Sequence, residues 1–214
     1  MKQYIATTLT LLFLLSLLGA PITLAQTTDD EFGTEREARI ADAEEKRAEH
    51  TAAVELKREE AKEEHAAKRQ EFQEKLAELK SARKQKIVEN TDERISKINE
   101  TRTDRLSEHL NTMSEILDRV EAKAGNLDDS THVDEAIEQA RAAIETAQSA
   151  VEAQAGNEYI VAITDEEELQ TVVKAVVDEF KADMKALIGL VKDAHKETRE
   201  AAQALGSSQK TEEE

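Results

Sequence analysis

Five histidines and a large stock of carboxylates are the side chains with which this chain could do chemistry. His50, His65 and His109 each follow a glutamate, His132 follows Thr131, and His195 closes Asp193-Ala194-His195. Neighbouring residues on a helix point about 100° apart, so a Glu-His dipeptide is no chelate. A helical metal pair needs i, i+4 spacing, which no two of these histidines show. They read as solvated helix-face residues, with His109 and His195 at the edges of apolar stripes. Glu59, Glu60, Glu63 and Glu64 form a dense acidic block, as do residues 165–168. Catalytic carboxylates need a pocket that separates their pKa values, and a rod surface supplies none. No EF-hand loop is present, and with six glycines in all there is no phosphate-cradling loop. Lys80, Arg83, Lys84 and Lys86 make a basic patch that could touch an anionic polymer, but Glu78 and Glu89 flank it and a solvated face is the simpler reading. Asn99-Glu100-Thr101 fits a glycosylation sequon that falls in mid-helix. The chain is therefore expected to be no enzyme, with no catalytic residue, no metal and no cofactor.

The element around which the rest is arranged runs from Ile87 to Leu127. Apolar or tolerant positions recur there every three or four residues, close to the 3.6 of a straight helix. Ile95, Ile98, Leu106, Leu110, Met113, Leu117 and Val120 share one face, with Thr91 and Arg102 as its weak points. Gly125 can end this helix in the left-handed conformation. Thr131-His132-Val133-Asp134 has the form of a capping box. It opens a second helix on which Val133, Ile137, Ala140, Ile144, Ala147 and Val151 keep a heptad spacing of large and small residues. The short connection favours an antiparallel pair. Thr164-Asp165-Glu166-Glu167 opens a third helix carrying Val173, Val176, Phe180, Leu187 and Val191. Between them, Tyr159-Ile160-Val161-Ala162-Ile163 is the only β-like run. Either it descends in extended form along the stripe near Ile87 to Ile98, or it is a compact loop.

The residues before this unit differ. From Thr34 to Ala124 there is neither Gly nor Pro, which predicts one continuous helix of roughly 140 Å at ~1.5 Å per residue. Its first half has a thin apolar stripe and many acid-before-base pairs, such as Glu64–Lys68 and Glu71–Lys75, each adding only ~0.2–0.5 kcal/mol. It reads as a solvated rod, with a self-associating coiled coil seamed by Phe72, Leu76 and Leu79 as the alternative.

The domain organisation expected is a signal peptide at 1–25, a linker at 26–33, a charged helical arm at 34–86, a three-helix bundle at 87–205 (helices 87–125, 132–154 and 165–205) and a disordered acidic tail at 206–214. The fold class is all-α: an antiparallel three-helix bundle whose very long first helix extends as a charged arm, with a coiled coil as the arm's alternative form. The signal peptide rests on Lys2, the apolar run Ile5 to Leu18 and Thr23-Leu24-Ala25 as a small-x-small site before Gln26. The run is short for a membrane span, so a membrane partner is expected only if the peptide is uncleaved. Cleavage would remove one positive charge, Lys2, and take the net charge from -18 to -19. Such acidity argues against nucleic acid. Without cysteine, an exported fold must be held by helix formation and packing alone.

Over Arg105 to Leu205, the stretches LSEHLNTMSEILDRVEAKAGNLDDSTHVDEAIEQARAAIETAQSAV and FKADMKALIGLVKDAHKETREAAQAL resemble uncharacterised secreted helical or coiled-coil proteins of small-genome candidate-phylum bacteria. In that group a helix turns at Gly into an Ala-rich helix and a third helix closes the unit. The resemblance implies export and a helical unit, and carries no functional residue. The function expected is that of an exported, non-enzymatic structural or protein-interaction protein in the periplasm, envelope or extracellular space. Its partner is a protein or another copy of itself. The alternative is a periplasmic holdase-type chaperone.

Overall fold

The computed structural model describes residues 28–212, and the expected signal peptide lies outside them. Four helices follow in order: α1 Thr28–Glu78, α2 Ala82–Ala124, α3 Thr131–Ala155 and α4 Leu169–Glu212. No strand occurs among the described residues, so the all-helical class holds.

The single long helix expected from 34 to 124 is two helices. Ser81 takes an extended conformation (φ −91°, ψ 104°) and its hydroxyl accepts from the backbone N–H of Lys84. A serine in that role satisfies one of the donors that a helix start leaves open. With Leu79 and Lys80 it makes a hinge without Gly or Pro, and α1 turns back along α2. As α1 numbers rise, their α2 partners fall: Arg39 meets Glu121, Arg47 meets Asp118, Arg58 meets Asp104 and Arg69 meets Asp92. The two helices are therefore antiparallel. The charged arm is no projecting rod but a fourth packed helix.

Burial follows from this. Val54 of α1 joins the main core beside Leu110, Met113, Leu117, Ile137, Ile144, Val151, Phe180, Leu187 and Val191, and Ile95 and Val120 lie in the same cluster. Leu106 and Val176 pack on that cluster without being fully enclosed. On α3 the expected heptad face, Val133 through Val151, is buried throughout. Ile98 is a correction: it is 40% exposed, standing about 60° round the helix from buried Ile95, on the side of exposed His109.

The segment between α3 and α4 carries Val161 and Ile163 down to the hinge end, where they cluster with Phe72, Leu76, Val88 and Leu169. Of the two readings offered for it, the descent is the one observed. Leu79, Val173 and Val176 pack on this second cluster. Phe72 and Leu76 are 3% and 4% exposed, so the seam proposed for a coiled coil is filled by the chain's own residues.

The ends also move. α1 starts at Thr28 rather than after a linker, and α4 begins at Leu169 and runs through Gly206 to Glu212 where a disordered tail was expected. A helical Gly costs only about 1 kcal/mol against Ala, which the flanking helix formers offset. Gly125 is right-handed (φ −61°), not left-handed. Its value is space, since a Cβ there would stand 3.0 Å from Nη1 of Arg36. Ser130, not Thr131, precedes α3, and its hydroxyl donates to Asp134 at 2.7 Å instead of capping the backbone. Asp165 accepts from the N–H of Glu167 at 2.8 Å in a turn ahead of α4.

Candidate functional site

Polar chemistry concentrates where α1 lies against α2 and α3. Arg36, Arg47, Arg58 and Arg69 recur every eleven residues, with Lys-Arg written at 46–47, 57–58 and 68–69. Eleven residues are three turns plus only about 20°, so the four guanidiniums stay on one line. Each meets a carboxylate on another element. Arg36 donates to both oxygens of Asp134 at 3.0 and 2.8 Å and to Ser130 at 2.7 Å. Arg47 donates to Asp118 at 2.7 Å and to Ser114 at 2.8 Å. Arg58 reaches Asp104, the hydroxyl of Thr103 at 2.7 Å and the carbonyl of Glu100. Arg69 joins Asp92 at 2.6 Å to Glu158 beyond the end of α3.

Glu121 is the most enclosed acid, with its side chain 1% exposed. Arg39 contacts it at 2.7 Å and Arg141 donates to it at 2.6 Å. Arg141 also donates to Asp118 at 2.9 Å, so one chain of charges crosses α1, α2 and α3. Burial works against the charge of Arg69 and Arg141, yet their paired carboxylates outweigh it and both guanidiniums are held above their ordinary value. Burial pushes the Asp92 carboxyl up, with Arg69 pulling the other way.

His50 was expected on a solvated face and is 4% exposed instead. Its Nδ1 lies 2.8 Å from Glu152 of α3 and its Nε2 lies 2.9 Å from the hydroxyl of Ser107 of α2. This Ser-His-Glu order is the one that activates a serine nucleophile. Here, however, Ser107 sits in mid-helix, where neighbouring N–H groups are committed to the helix and none is aimed at a developing oxyanion. The relay ties three helices together through one imidazole.

Below it, Asn99 donates to the carbonyls of Gln154 (3.0 Å) and Asn157 (3.3 Å) where α3 ends. Gln154 donates in turn to Asn99 and to the hydroxyl of Tyr159, and Tyr159 donates to Asp183 of α4 at 2.7 Å. Burial, then the hydrogen bond to Asp183, pushes the Tyr159 phenol up to about 12. A cleft of about 250 Å³ opens beside this network, lined by Arg58, Arg69, Asn99, Glu158 and Tyr159. Asn99 of the sequon is 7% exposed and spent on these bonds, so it is not presented for modification.

Comparison with protein-family models, with curated proteins and with solved structures gives no match for this chain. Its chemistry must be read from its own residues. Among the described residues no group of three or more His, Asp or Glu side chains is placed to hold a metal ion, and no helix is long and apolar enough to cross a membrane. His109 and His195 do meet, stacked with ring centroids 5.9 Å apart where α2 and α4 adjoin. Sequence reasoning missed the arginine line and read His50 as solvated because it paired charges only within one helix, whereas their partners stand on other helices. The signal was present as the eleven-residue recurrence of Arg and as His50 standing in step with Ala43, Arg47 and Val54.

Proposed function

We propose that this is an exported, non-enzymatic structural or protein-interaction protein, a helical bundle that works by presenting long side faces. One observation carries the reading: the principal polar side chains brought together inside the bundle each bind a partner on another helix, although single atoms such as Asp92 Oδ1 and Arg141 Nε stay buried without a hydrogen bond. His50, Ser107, Glu121 and the four evenly spaced arginines all bind partners within the chain. Groups so engaged hold helices in place and are not poised toward a substrate. Export follows from the apolar run and small-x-small site at residues 5–25.

Two experiments test it. A fusion of residues 1–33 to a reporter active only outside the cytoplasm is expected to be active, and an inactive fusion overturns export. Mixed at stoichiometric ratio with an aggregating, reduced client, the protein is expected to leave the aggregation rate unchanged. Suppression would replace this reading with the holdase.

A further inference from the structure

We propose that copies of this chain associate head to tail, the acidic outer face of α1 in one copy lying along a basic seam between α2 and α4 of the next. The inference deepens the interaction-protein reading and rests on it.

The seam emerges from how arginine is used. Arg36, Arg39, Arg47, Arg58, Arg69 and Arg141 all pair with acids inside the bundle. Arg83, Arg94, Arg102, Arg105, Arg119 and Arg199 form no ion pair among the described residues, and all six stand on α2 or α4. The stacked rings of His109 and His195 mark where these helices adjoin, and both residues are exposed. At about 100° per residue, Arg94, Arg102 and Arg105 fall within about 60° of His109 on α2. Lys181, Lys192 and Arg199 fall within about 60° of His195 on α4, all of them exposed. The two rows fan outward from one line and flank it on both sides. Ile87 and Ile98, 50% and 40% exposed, lie on the α2 side of the same strip.

A chain of net charge -18 thus carries a strip of exposed cations, of which only Lys181 has an acid partner among the described residues (Asp178), with apolar residues set in it. Its complement is elsewhere on the same molecule. The outward face of α1, opposite buried Val54 and Phe72, carries Glu45, Glu49, Glu59, Glu63 and Glu74, all exposed. Lys46, Lys57, Lys68 and Lys75 are displaced to its flank by the helical spacing. In its middle stands Leu56, at 58% the most exposed large apolar residue among the described residues. Opposite charge with an apolar residue on each side is the complementarity that sets register between partners. Net repulsion between copies is screened beyond about 8 Å at physiological salt, whereas charges in direct contact are screened far less. Because α1 packs on α2 and α3 and not on α4, its outer face and the α2–α4 seam stand on different sides of the bundle, so one contact leaves a free face on each copy and further copies add as a ring or a filament.

The experiment is sedimentation of the purified protein against concentration and salt. Growth past the dimer is expected at about 0.1 M salt, with at least a tenfold loss of association at about 0.5 M. Two charge reversals, Arg102→Glu with Arg105→Glu, and Glu59→Arg with Glu63→Arg, are each expected to give monomers that keep the parent circular dichroism and melting. Mixing the two reversed proteins restores association, since each reversed face then meets its opposite. Arg94→Glu with Arg199→Glu repeats the first arm should that pair fail to fold. A chain monomeric throughout, an association indifferent to salt, or reversed proteins that stay apart when mixed each overturns the proposal. A monomer that binds phosphatidylglycerol vesicles through the seam overturns it in favour of a lipid surface. None of these outcomes touches the reporter and client experiments, so self-pairing can fail while the broader reading stands.

Discussion

At the residue scale the most consequential side chain is Glu121, a carboxylate held between Arg39 and Arg141 with almost no access to water. A buried charge kept in place by partners of opposite sign is costly to orphan, by about 3–5 kcal/mol when one member is removed. Glu121→Leu, which leaves two guanidiniums facing an apolar side chain, is expected to lower stability by about that much in urea titrations. Replacing Arg39, Glu121 and Arg141 together with apolar residues should cost far less. Tyr159 supplies a pH signature. Its phenol is held up at about 12 by burial and by Asp183. A group whose folded pKa is raised contributes stability that is complete below its ordinary value near 10 and lost as pH rises through the folded one. Between pH 10 and 12 the parent protein should therefore lose up to about 2–3 kcal/mol more than Tyr159→Phe, read from urea midpoints at each pH.

At the scale of elements, the question is whether α1 is part of the core. Phe72→Ala removes a ring from the cluster with Val88, Val161 and Ile163 and should cost about 3–5 kcal/mol. Leu56→Ala, on the outer face of the same helix, should stay within about 0.5 kcal/mol. Equal and negligible effects would restore the free arm. The α2–α3 hairpin and its buried faces were legible because large apolar residues at 3.6-residue spacing leave few alternatives, as Leu110, Leu117, Ile137 and Ile144 attest. The fold-back of α1 was not, for two physical reasons. Its inward positions are filled by Arg47, His50, Arg58 and Arg69, which resemble a solvated face until their carboxylates are found on other helices. The hinge, Leu79-Lys80-Ser81, has no helix breaker, and only the hydroxyl of Ser81 marks a new start. Ile98 failed in the opposite sense, being close in phase to the stripe yet about 60° round the helix from Ile95 on its exposed side.

For the molecule as a whole, charge is sorted rather than spread. Acids of α2 such as Asp104 and Asp118 turn toward the arginines of α1, while the unpaired cations gather along α2 and α4. The same sorting gives the hairpin a property of a vernier scale. Since Arg36, Arg47, Arg58 and Arg69 are evenly spaced, sliding α1 by one period, about 16 Å, would hand each arginine's acidic site, on α2 or for Arg36 on α3, to its neighbour in the row. Charge alone cannot tell such settings apart. The native one is selected by the ungraduated marks, His50, Val54 and Phe72, and by a hinge too short to let the scale travel. Adding one further eleven-residue block at Lys80 should free a second setting, to be read as a new cross-link between cysteines placed at 47 and 103 in an otherwise cysteine-free chain. A single trapped position there would mean that apolar residues fix the alignment unaided.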